Sequence, residues 1–126
     1  MSSLVCSQTG ARFAADDPRW CSNVGAVLDL EFTPQLDRGA VASRPATLWR
    51  YREALPIEHD EHIVTLGEGM TPLVEADFAG RRVLLKQDQL FPTGSFKDRG
   101  ASVLLSKVRE LGVRRILEDS SGNAGA

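Results

Sequence analysis

Two cysteines in 126 residues, Cys6 and Cys21, are too few for a disulfide framework. Neither belongs to a C-x-x-C pair, so the thiolate set of a structural zinc is missing as well. No apolar run exceeds five residues, far short of a membrane span. The N-terminus has no charged segment followed by an apolar stretch, which argues against a secretory leader. Net charge is only −2, and the basic residues are scattered, adjacent only at Arg81-Arg82 and Arg114-Arg115. That distribution gives no footprint for nucleic acid. Gly67-x-Gly69 lacks the third glycine of a dinucleotide fingerprint and runs into Thr71-Pro72; no P-loop, internal repeat or low-complexity segment is present. What these absences leave is an ordinary soluble chain of the reducing cytoplasm, without metal, membrane or nucleic acid. An apolar content of 42% and a charged content of 25% agree. The length allows at most one ordinary domain.

Punctuation divides the chain into three regions. Residues 1–33 read as short hairpins, with turns at Cys6–Gly10 and Asp16–Pro18 and strand-like alternation over Val27–Phe32. Residues 34–81 read as a loop over 34–46, a short helix Leu48–Leu55 capped by Thr47, and an acidic, exposed stretch over 56–62. An extended Ile63–Leu66 and a turn at Gly67–Pro72 follow. Residues 82–126 read as strand Arg82–Gln87, a helix, and strand Arg115–Asp119. That order predicts a parallel βαβ unit, hence an α/β fold with a hairpin-rich N-terminal region. The turn Ser120–Ala126 then lies beyond a strand's carboxyl end, where open α/β sheets bind ligands.

Pro92-Thr93-Gly94-Ser95-Phe96-Lys97-Asp98-Arg99-Gly100 sets one lysine in a tight turn that opens the helix. Ala101, Leu104, Leu105, Val108 and Leu111 share one helical face, Ser102, Ser106, Lys107, Arg109 and Glu110 fall mostly opposite, and Gly112 is a stop. A helix start disfavours a cation. It therefore lowers the cost of a neutral amine that can attack a carbonyl, and a desolvated setting lowers it further. On spacing alone, Lys97 also fits a surface lysine.

Pro92–Ala101 resembles the cofactor-lysine segment of pyridoxal-phosphate enzymes of the tryptophan-synthase-β type (fold-type II). Ser120-Ser121-Gly122-Asn123-Ala124-Gly125 resembles the asparagine loop of that family. Leu48-Trp49-Arg50-Tyr51-Arg52 and Gly67-Glu68-Gly69-Met70-Thr71-Pro72-Leu73 bring the likeness nearest to threonine synthases, and it runs from about residue 4 to the end. The resemblance implies a Schiff base between Lys97 and pyridoxal 5'-phosphate, with Lys97 also the proton carrier at the substrate Cα. Phe96 belongs to the cofactor segment. Asn123 would donate to the phenolic oxygen of the cofactor, and Ser120, Ser121 and Gly122 would hold the substrate carboxylate. Thr71 would stand on an active-site wall. The implied reaction takes O-phosphohomoserine and water to threonine and phosphate. A threonine/serine dehydratase is the alternative within the family, and a truncated non-catalytic module is the alternative outside it.

Threonine synthases are several times longer, so the chain reads as an N-terminal piece whose partner is the remainder of a parent chain. By itself it is expected to be inactive; a homodimer is left open. Residue by residue, the bland readings stand beside these roles. Asn123 suits a left-handed turn and Thr71 a plain turn. His59 and His62 are three apart in a polar run with no third ligand. Cys6 and Cys21 resemble one cysteine each of a zinc ribbon, with Thr9 and Val24 where partners would stand. Asp98 suits the helix dipole, and Arg99 has Asp98 or a nearby loop to pair with.

Overall fold

The chain alternates strand pairs with short helical turns, and a computed structural model describes residues 2–120 and 122. Strands β1 (Ser3–Cys6), β2 (Arg12–Ala14) and β3 (Leu28–Glu31) form an antiparallel sheet in the order β2-β1-β3. Ser3 lies opposite both Ala14 and Glu31. After β1 the Gly10 N–H donates to the Cys6 carbonyl at 2.9 Å, and the Gly25 N–H donates to the Ser22 carbonyl at 3.0 Å. Both glycines have φ near +70°, the left-handed conformation such turns require. Cys6 is buried, and among the described residues no cluster of His, Cys, Asp and Glu is placed to hold a metal.

Helix α1 (Arg38–Ser43) occupies the stretch expected to be a loop. Asp37 explains it: its carboxylate accepts from the Gly39 and Ala40 N–H groups at 2.8 and 3.2 Å, which starts a helix despite the flanking prolines. A 3-10 segment covers Leu48–Ala54 and buries Trp49, while Thr47 stands at its cap position without a side-chain cap bond. The stretch 56–62 is not wholly exposed. Ile57 is buried, and the Glu58 and His59 N–H groups donate to Glu110 at 2.7 and 2.9 Å.

Strands β4 (Leu73–Phe78) and β5 (Arg81–Lys86) make an antiparallel hairpin with Phe78 opposite Arg81. Its two-residue turn, Ala79-Gly80, has φ of +50° and +73°, positive at both central residues as a tight hairpin requires. The expected parallel βαβ unit is not formed among the described residues. β5 pairs with β4, and residues 113–120 join no sheet among the described residues. The reason is burial. A parallel strand is covered on both faces, whereas Ile116 is 56% and Leu117 96% exposed here. The described architecture is mixed α/β with two small antiparallel sheets.

Helix α2 (Asp98–Glu110) forms where the periodicity predicts it, and the Gly112 stop is realised. The Gly112 N–H donates to the Arg109 carbonyl at 3.0 Å and the Val113 N–H to the Val108 carbonyl at 3.1 Å, the two bonds of a Schellman ending. The buried face is the unexpected one. Ser102 and Ser106 are buried, while Leu104 is 60% exposed. The serine hydroxyls bond the extended strap that follows Ile63, which draws the polar stripe inward. No helix among the described residues is long and apolar enough to cross a membrane.

Candidate active site

The turn before α2 is built by one carboxylate. Asp98, buried at the first helical position, accepts from the Thr93 N–H at 3.0 Å and also from the Thr93 hydroxyl. The Gly94 N–H donates to the Phe91 carbonyl at 2.8 Å, with φ of +75° at Gly94. The Asp98 N–H donates to the Ser95 carbonyl at 3.2 Å, and the Lys97 N–H to the Ser95 hydroxyl at 3.3 Å. Asp98 therefore does more than complement the helix dipole: it closes the loop that presents Lys97.

Lys97 stands at the N-cap position of α2, as the spacing predicts, and its side chain is exposed. The desolvated setting expected for it is not supplied by the described residues. Its amine is nevertheless singular. The Lys86 ammonium donates to the Thr71 carbonyl and the Lys107 ammonium to Glu110 at 2.7 Å. Among the described residues Lys97 has no hydrogen bond or ion pair for its ammonium. It lines a cavity of about 620 Å³ together with Phe96, Leu66, Leu104, Leu105 and Glu68. That volume lies within the range of small-molecule and cofactor sites, roughly 300–1,000 Å³. An uncommitted amine, an aromatic ring and apolar walls in one concavity suit a flat aromatic aldehyde, so the residues present fit a pyridoxal cofactor.

Thr71 does not line this cavity. It is buried and donates to Asp88 at 2.7 Å. Arg99 grips the same Asp88 with two bonds of 2.9 and 3.1 Å, and its guanidinium lies 4.3 Å from the centre of the Phe91 ring. The loop partner of Arg99 is thus Asp88, not Asp98. The Ser120 hydroxyl donates to the Gly122 carbonyl at 3.2 Å and accepts from the Gly122 N–H at 3.1 Å. Neither residue lines the described cavity, although Glu118, just upstream, does. Ser121 and Asn123 lie outside the described residues. His59 and His62 meet edge to face at 6.1 Å, with no third ligand beside them among the described residues.

The Asp88 cluster gives a testable pH dependence. Hydrogen bonds from Arg99 and Thr71 hold the Asp88 carboxyl at about 2, below its ordinary 3.8. A lowered native pKa contributes stability that is present above the unfolded value and lost as pH falls through the native one. Asp88→Asn is expected to lower Tm most above pH 4, with the difference from wild type shrinking toward pH 2. Glu53, held down to about 2 by Arg44, titrates in the same window and leaves residual acid sensitivity in both proteins. Thermal melts at pH 7, 4 and 2 check this; a constant difference would show that Asp88 is not the linked group.

Sequence reasoning missed Glu68, Trp49 and Ser102. Glu68 is 1% exposed, and its carboxylate accepts from the Trp49 indole at 3.1 Å, the Thr65 hydroxyl at 2.8 Å and the Leu66 N–H at 2.8 Å. Burial pushes its pKa up, but the hydroxyl and backbone N–H groups around its carboxylate outweigh that and hold it below the usual carboxylate range. The only local signal was a glutamate between two glycines.

Residues 64–126 match the family model described as "Pyridoxal-phosphate dependent enzyme". The whole chain is similar to a threonine synthase of Methanosarcina acetivorans, 32% identical over 135 aligned positions and covering 33% of that protein. A threonine synthase of Methanocaldococcus jannaschii is 31% identical, with 96% of this chain and 32% of the relative covered. One from Synechocystis is 41% identical over 92 positions, 64% of this chain and 24% of the relative. The chain thus spans about a third or less of the length of these relatives. No solved structure matches it significantly.

Proposed function

The chain belongs to the pyridoxal-phosphate dependent enzyme family, and from that premise we propose that it is the cofactor-lysine segment of a threonine synthase. The observation that carries the reading is Lys97, whose ammonium is uncommitted among the described residues, on the cavity it shares with Phe96. When bound, pyridoxal phosphate supplies an electron sink for negative charge at the substrate Cα. The chain's own residues bind, orient and move protons. Lys97 holds the cofactor through its amine and afterwards carries the proton at Cα. Phe96 walls the site, and Asn123 donates to the cofactor's phenolic oxygen. Ser120, Ser121 and Gly122 hold the substrate carboxylate with hydroxyl and backbone N–H groups.

The proposed net reaction breaks the Cγ–O bond of O-phosphohomoserine, releasing phosphate, and adds water at Cβ to give threonine. In the longer protein the segment 115–119 is expected to pair as a parallel strand, which would bury Ile116 and Leu117, exposed here. Full-length protein is expected to release phosphate from O-phosphohomoserine, and the 126-residue chain alone is expected to be silent. Formation of 2-oxobutanoate from threonine, without phosphate release from O-phosphohomoserine, would move the assignment to a dehydratase. Turnover by the chain alone would refute its dependence on the remainder.

A further inference from the structure

We infer that Glu68 is a positioning residue: with Trp49 and Ser102 it latches the strap 64–68 to the helix that Lys97 precedes, and so sets the shape of the cavity. The inference deepens the proposed function and rests on the reading of Lys97.

Three elements meet at this latch. The strap is bonded to α2 at two points. Ser102 donates to the Val64 carbonyl at 3.0 Å, and Ser106 accepts from the Val64 N–H at 2.8 Å. Trp49, from the 3-10 segment, shares its indole N–H between Glu68 and Ser102, each at 3.1 Å. The Glu68 carbonyl returns the contact by accepting from the Leu48 N–H at 2.6 Å. Glu68, Leu66, Ser102 and Lys97 all line the one cavity.

The chemistry requires a carboxylate. Three donors converge on its two oxygens, from the Trp49 indole, the Thr65 hydroxyl and the Leu66 backbone. Glutamine has one acceptor oxygen, so its NH₂ would face a donor on one side or the other. A buried charge is a poor device for stability alone, since apolar packing would serve as well or better. Its value here is a fixed geometry between the wall and the helix start, where a misplacement of about 1 Å can cost roughly a hundredfold in rate.

The test uses full-length protein with Glu68→Gln and with Trp49→Phe, which keeps a packed ring but removes the indole N–H. Glu110→Gln is the control, since Glu110 anchors the far end of the same helix to residues 58 and 59. Two quantities are read: kcat against KM, and amide hydrogen exchange in the cofactor-free protein. Glu68→Gln and Trp49→Phe are expected to lower kcat roughly tenfold or more with little change in KM. They are also expected to speed exchange at Leu66 and at the first turn of α2. Glu110→Gln is expected to speed exchange at 58–59 and leave kcat alone. Unchanged kcat in both latch variants, or unchanged exchange at Leu66, would overturn the inference. Lys97→Ala separates the two readings. If it retains turnover while the latch variants still loosen Leu66 and lower kcat, the role of Lys97 fails and the latch stands. If it loses turnover while the latch variants keep theirs, the latch fails and Lys97 stands.

Discussion

Lys97→Ala in full-length protein is expected to cut turnover by about 10²–10⁴-fold, the usual contribution of a positioned proton-transfer group, before the lost covalent hold on the cofactor is counted. The chain has three lysines, Lys86, Lys97 and Lys107. Lys86 is tied to the Thr71 carbonyl and Lys107 to Glu110. Only the Lys97 ammonium is uncommitted among the described residues, and it faces a cavity of about 620 Å³. Its backbone is held by the Ser95 hydroxyl and by the turn that Asp98 closes, so the amine is presented from a fixed point. Nucleophilic amines act when they are free to meet a carbonyl, and an ion-paired ammonium is not. Borohydride reduction followed by peptide mapping should place the pyridoxyl group on Lys97. Label on Lys86 or Lys107 would refute the assignment.

Gly69→Ala is expected to destabilise the protein by about 2–4 kcal/mol, among the larger effects of a single substitution. A Cβ at this position would sit 2.5 Å from the Leu48 nitrogen and 2.8 Å from the Thr47 carbonyl carbon. Both are backbone atoms and cannot swing aside. The residue also has φ of +129°, a conformation close to glycine-only. Relief would break the 2.6 Å bond from the Leu48 N–H to the Glu68 carbonyl and lift the strap from the 3-10 segment. Gly67→Ala is the comparison. Gly67 also has positive φ, +79°, but nothing lies within 4 Å of its would-be Cβ. Its cost should be backbone strain alone, about 1–2 kcal/mol. Urea unfolding of both variants measures the difference, and equal losses would show that the close approach at Gly69 carries no energy.

Much of the site's local geometry was legible because it is local. Pro92, Gly94 and Ser95 mark a turn, the periodicity after Lys97 marks a helix, and Gly112 marks its end; each arises from contacts within about one helical turn. The turn Cys6–Gly10 was legible for the same reason, since a glycine in left-handed conformation leaves its mark in the sequence.

Which face of α2 is buried was not legible. An amphipathic pattern states that two faces differ, and the apolar one is ordinarily assumed to turn inward. Here the strap covers the serines, through bonds spanning 38 and 42 residues of chain. The β4–β5 hairpin also escaped notice, because its alternation is weak and its turn is Ala-Gly rather than Asn-Gly.

By itself, then, the sequence determined the turn and helix that present Lys97, and the family to which the chain belongs. These rest on side-chain identity and on backbone preferences acting over a few residues. Only the tertiary structure decided that Lys97 alone among the lysines has an uncommitted ammonium among the described residues, that Thr71 serves Asp88, and that Glu68 is buried. Trp49 and Ser102 are 53 residues apart and meet at 3.1 Å. Such a contact is set by packing and hydrogen-bond satisfaction across the fold, for which no local pattern holds the information.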